Sequence, residues 1–122
     1  MNTDTIIALA TPSGAGAIAV IRLSGNSAIS IADSCFRSVS GKRLTKQKTH
    51  TIHLGHVIEG DKELDEALVS VFKNPHSYTG ENVVEVSCHG SPYIQQEIIK
   101  LFLKKGCRVA NPGEFTLSLI HI

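Results

Sequence analysis

Two charged side chains stand in stretches that are otherwise apolar. Arg22 interrupts Ala17-Ile18-Ala19-Val20-Ile21-Arg22-Leu23-Ser24, and Glu85 interrupts Val83-Val84-Glu85-Val86-Ser87-Cys88. A guanidinium keeps its charge, so in such a place it must meet an anion or reach water. A carboxylate accepts two parallel hydrogen bonds, which suits a flat edge carrying two donors, such as an amidine or the 2-amino/N3–H edge of a pterin. The competing reading for both residues is a structural ion pair between strands. Residue types alone leave the two readings level.

Other chemistry-bearing groups read more plainly. His50, His53 and His56 recur at intervals of three. On an extended segment odd spacing alternates faces, so the three do not converge on a tetrahedral metal site. His89 follows Cys88 directly, and strand neighbours point apart, so they make no nucleophile–base pair and His89 is expected in a turn. Gly14-Ala15-Gly16 opens an extended run instead of a helix, and neither G-x-G-x-x-G nor G-x-x-x-x-G-K-[ST] occurs. Those glycines suit a tight turn or a close backbone approach to a ligand, not a nucleotide-phosphate loop. For Gly113-Glu114-Phe115-Thr116 the residues suggest only a turn and a capping threonine.

These side chains need a frame. Residues 5–10 and 17–24 read as strands; the second is apolar on both faces, as a central, buried strand would be. Ala28, Ile31, Ala32, Cys35, Phe36 and Val39 recur at helical spacing up to a stop at Gly41. Residues 50–57 and 64–72 form a strand pair joined by the turn signal Glu59-Gly60-Asp61-Lys62. After a loop, 83–88 is a further strand. Ser91 then caps a helix that has Pro92 in its first position, where no N–H is needed. Ile94, Ile98, Leu101 and Phe102 form its apolar stripe, and 108–110 closes the order β-β-α-β-β-β-α-β. Strands that outnumber helices without alternating with them indicate an α+β fold, with two helices on one side of a mixed, largely antiparallel sheet.

Composition fixes the setting. The 122 residues suffice for one domain, with 42% hydrophobic and 19% charged residues. Twelve Lys and Arg against eleven Asp and Glu give a net charge of +1, so no global field points to nucleic acid. Lys42, Arg43, Lys46 and Lys48 read as a solvated loop. Three well-separated cysteines suit a reduced cytoplasmic protein. The N-terminus shows no signal-peptide pattern, and no apolar run reaches membrane-spanning length, so no membrane partner is expected.

Five blocks, in order, resemble a known family. They are Asp4-Thr5-Ile6-Ile7-Ala8 through Thr11-Pro12; Ile21-Arg22-Leu23-Ser24-Gly25; Ser77-Tyr78-Thr79-Gly80-Glu81-Asn82-Val83-Val84-Glu85; His89-Gly90; and Asn111-Pro112-Gly113-Glu114-Phe115-Thr116. On these the chain resembles the N-terminal domain of the MnmE/TrmE tRNA-modification GTPases. The resemblance implies a folate-binding module related to that of the glycine-cleavage aminomethyltransferases. It implies that two copies pair, and that 5-formyl- or 5,10-methylene-tetrahydrofolate binds near their interface, with Arg22 and Glu85 at the family's folate-contact positions. It further implies an intact protein with a GTPase domain using GTP, magnesium and potassium. That protein would act with an FAD- and NADH-dependent MnmG-type partner on the wobble uridine of tRNA. The domain is expected over 1–116. Asn111 and Ser91 stand where the family has Arg and Gly. Leu117-Ser118-Leu119-Ile120-His121-Ile122 departs from the family's continuation, which carries a further folate-contacting lysine, and reads as a tail foreign to it.

Two alternatives follow from the same residues. A stand-alone folate-dependent aminomethyl transferase would need a longer chain and a catalytic aspartate motif that is not recognisable here. A nucleic-acid-binding α+β domain is disfavoured by the near-zero charge and sparse aromatics. The expectation is a folate-binding dimerisation module without catalysis of its own.

Overall fold

The computed structural model describes residues 5–11, 17–73 and 81–111. The turn at 12–16, the loop at 74–80, the Gly113–Thr116 motif and the tail at 117–122 lie outside the described residues. The strands are β1 (Ile6–Leu9), β2 (Ile18–Ser24), β3 (Phe36–Ser38), β4 (Thr51–Glu59), β5 (Lys62–Phe72), β6 (Val83–His89) and β7 (Arg108–Val109). The helices are α1 (Ala28–Ser34) and α2 (Pro92–Lys104), with a 3-10 turn at Leu44–Lys46.

The strands form one sheet in the order β3-β4-β5-β6-β2-β1-β7. All neighbours are antiparallel except β1 and β7, which run parallel. The expected mixed α+β architecture is therefore present. Ser91 is the N-cap of α2 and Pro92 sits in its first turn, although the serine side chain makes no capping hydrogen bond. Gly60 takes φ +60° in the β4–β5 turn, a left-handed conformation that glycine adopts without strain.

One segment departs from its local pattern. The helical spacing through Phe36 and Val39 predicts a longer first helix, yet α1 stops at Ser34 and Phe36–Ser38 pairs with β4. The reason lies across the sheet at Gly55. A Cβ there would overlap the Phe36 ring and the Arg37 carbonyl oxygen, so the bare glycine makes room for the edge strand. Cys35 O also accepts a hydrogen bond from Ile58 N at 2.8 Å, which fixes the junction. Pairing overrides a weak helical preference here.

Alternation along each strand separates two faces. Ile7, Ala19, Ile21, Leu23, Val57, Ala67, Val69, Val71, Val84, Val86 and Cys88 pack with Ala28, Ile29, Ala32, Ile98, Leu101 and Phe102 of the helices as the core. The opposite face is closed at one end, where Ile6, Ser24 and Val83 are buried. Toward its other end Ile18, Ile52, Leu54 and Leu68 are exposed. β2 is central in the sheet, as expected, but is covered by helices on one face only. No helix among the described residues is long and apolar enough to cross a membrane.

Candidate ligand site

Register puts Arg22 of β2 directly opposite Glu85 of β6 on the face away from the helices. Arg22 Nε donates to Glu85 Oε2 at 2.8 Å and Nη2 donates to the same oxygen at 2.5 Å. The sequence could not decide whether these charges pair with each other; they do. The pair is not sealed, because the two side chains retain 26% and 22% exposure. Antiparallel pairing explains the contact. Opposed side chains on one face of such a ladder lie close enough to interact, and opposite charges stabilise the register. Next along β2, Ser24 Oγ donates to Glu81 Oε2 at 2.9 Å, and Gly25 N donates to Asn82 O at 2.9 Å. The Ile21–Gly25 and Glu81–Glu85 blocks, distant in sequence, are thus fastened side by side.

Beside the pair runs an open groove of about 380 Å³. Ala17, Ile18, Leu54 and Leu68 give it an apolar lining, and Glu66, Ser87 and His89 add polar groups. Ser87 follows Glu85 by two residues on β6, so the groove and the ion pair share one face and adjoin. An apolar hollow bordered by a few convergent polar groups is the usual form of a small-molecule site.

The residues predict His89 in a turn and give Asp65 no role. In the structure His89 is the last residue of β6 and is bonded to Asp65 of β5 twice. His89 N donates to Asp65 Oδ2 at 2.8 Å, and His89 Nδ1 lies 2.6 Å from Asp65 Oδ1. The register shift between Val57 and Ile58 leaves one extra residue on β5 just before Asp65. Such bulges redirect neighbouring side chains. The contact depends on how β5 aligns beside β6, which a single sequence does not state. The three histidines do not come together. His53 and His56 are on opposite faces of β4, and His50 precedes the strand with its ring edge-on to Phe72 at 5.3 Å. His56 Nε2 lies 3.7 Å from Glu66 Oε2.

Behind the groove, Cys88 is buried, with Sγ 3.6 Å from Ala19 O. Burial, and then the charge of Asp65, push its thiol up to about 11 from 9.0. Burial, and then Cys35, push Cys107 up to about 11 as well. A thiol with a raised folded-state pKa keeps its proton longer in the folded chain than in the unfolded one. The associated stability is present below pH 9.0 and is lost as pH rises toward about 11. The urea midpoint should therefore fall across that window, and fall less steeply in Cys88→Ala. A disulfide reagent at about pH 8 should leave the native thiols unmodified. Rapid labelling of the native chain, or identical pH profiles for both proteins, would contradict this environment.

Comparison with known proteins places these features. The family described as the GTP-binding protein TrmE N-terminus matches residues 5–118. A tRNA modification GTPase MnmE of Flavobacterium johnsoniae is 68% identical over 117 residues, covering 96% of this chain and 25% of that protein. One from Flavobacterium psychrophilum is 69% identical over 114 residues, 93% of this chain and 25% of the relative. One from Moorella thermoacetica is 50% identical over 118 residues, 95% and 26% of the two chains. The chain thus spans about a quarter of the length of the curated relatives it matches. With a family match from Thr5 through Ser118, it belongs to the TrmE N-terminal domain family.

Proposed function

We propose that this domain binds a one-carbon-carrying tetrahydrofolate, 5-formyl- or 5,10-methylene-, and pairs with a second copy. It would serve as the N-terminal part of a tRNA-modifying GTPase. The observation that carries the folate reading is the side-by-side placement of a guanidinium and a carboxylate, about a quarter exposed beside an apolar groove. Together the two charges nearly cancel, so the surface favours a neutral ligand over an ion. That ligand should offer donors to the carboxylate and an acceptor to the guanidinium, in one plane. A pterin edge does so, with its 2-amino and N3–H donors next to the 4-oxo acceptor. Glu85 would hold the donor edge and Arg22 the oxo group, while the groove takes the apolar remainder.

The relatives are named tRNA modification GTPases. Together with the family resemblance, that name supports an intact protein that would use GTP, with magnesium and potassium as the resemblance implies, outside this domain. It would work in the cytoplasm with an FAD-containing MnmG-type partner to modify the wobble uridine of tRNA, the folate supplying the carbon. Calorimetric titration with 5-formyltetrahydrofolate should give saturable binding without turnover of the ligand. Salt-sensitive RNA binding in its absence would favour the nucleic-acid reading instead.

The second copy is supported by the open sheet face. An antiparallel sheet with an exposed apolar strip is normally covered or polar. Sedimentation should therefore report a dimer, and Leu68→Glu should shift it toward monomer. A wild-type chain that stays monomeric at high concentration would count against the pairing.

A further inference from the structure

His89 is a better-prepared side chain than its exposure suggests. The side chains of Asp65 and His89 are 10% and 69% exposed. Both Asp65 oxygens are spent on this one residue, Oδ2 on the backbone N–H and Oδ1 on Nδ1. A carboxylate at Nδ1 selects the tautomer that carries the proton there and leaves a lone pair on Nε2. Nε2 makes no hydrogen bond among the described residues, and His89 lines the groove. The charged groups around it are Asp65 and Glu66, both on β5, whereas Ala17 and Ile18, at the start of β2, bring no charge there.

We infer that Asp65 and His89 form a fixed hydrogen-bond acceptor for the far end of the ligand, with His89 Nε2 receiving an N–H. This rests on the folate reading for the position of the near end. Glu85 and His89 are four residues apart on β6, which by strand alternation assigns them to the same face. At ~3.3 Å per residue their Cα atoms are about 13 Å apart. A ligand anchored at Glu85 by its pterin edge and lying along the strand crosses the apolar groove with its aromatic ring. It then presents the secondary amide N–H that follows that ring near His89. The acceptor therefore distinguishes a tailed folate from a bare pterin. His89 is the binding residue, and Asp65 acts through it as a positioning residue.

The test compares two probes, 5-formyltetrahydrofolate and a tetrahydropterin without the aminobenzoyl-glutamate tail, on the full chain. His89→Ala and Asp65→Ala should each weaken the tailed probe about tenfold and leave the tailless one unchanged, the scale of one lost hydrogen bond. His89→Gln, which can still accept, should recover part of the loss. A long-range proton–nitrogen spectrum should show Nδ1 protonated in the wild type and a tautomer mixture in Asp65→Ala. Equal losses on both probes, no loss on the tailed one, or a wild-type Nε2–H tautomer would each overturn the proposal. Failure of the wild type to bind either probe would overturn it together with the folate reading. If Glu85→Gln left both affinities intact while His89→Ala behaved as expected, the pterin-edge reading would fall and the acceptor would stand.

Discussion

Glu85→Gln is expected to weaken 5-formyltetrahydrofolate binding by about 1–3 kcal/mol, roughly 5- to 150-fold, while barely changing the urea midpoint. The two readouts separate a ligand role from a structural one. A partly exposed ion pair contributes little to folding, because water still reaches both partners when they separate. A carboxylate that accepts donors from a bound heterocycle loses half of its charge-assisted interaction when it becomes an amide, and the new NH2 then faces a donor. Arg22 should behave in parallel. Without the guanidinium the carboxylate faces the groove as a net charge, and the ligand's oxo group loses its donor. If Glu85→Gln lowered the unfolding midpoint strongly and left affinity untouched, the pair would be a strand clamp and nothing more.

Asp33→Ala should lower folding stability by about 1–3 kcal/mol, the cost of orphaning a buried donor. Asp33 lies on α1 with its side chain only 4% exposed. Its Oδ1 accepts Leu44 N at 2.8 Å, and its Oδ2 accepts Arg43 Nε at 2.7 Å as well as Arg43 Nη2. Leu44 is itself in the core, so removing the carboxylate leaves a backbone N–H with no water to replace it. The 3-10 turn would then lose its attachment to α1. Asp33→Asn keeps an acceptor for Leu44 and should cost less. Arg43→Ala should cost least, because that guanidinium is largely solvated. Urea unfolding of the three variants checks the order. An Asp33→Ala protein as stable as wild type would show that the turn is held by packing alone.

Much of this molecule is legible in its residues. Alternation and β-branched runs predict β1, β2, β4, β5 and β6. Ser91, Pro92 and the spacing of Ile98, Leu101 and Phe102 predict α2, and Gly60 marks the hairpin. Arg22 and Glu85 stand out because a charge in an apolar strand requires a reason, and that requirement acts residue by residue. Those features are local, set by backbone sterics and by which face meets water.

What a side chain touches depended instead on register between strands far apart in the chain. Pairing placed Arg22 against Glu85, whereas the sequence left each a choice of partners. Alignment of β5 beside β6 brought Asp65 to His89, and a glycine on β4 left room for Phe36 to pair as strand. The open groove exists because the helices cover one face of the sheet and leave the other. Sequence thus determined the elements and the charges that needed accounting for. Tertiary structure decided their neighbours, because strand register and layer stacking are set by the whole sheet at once, and no short window of residues contains them.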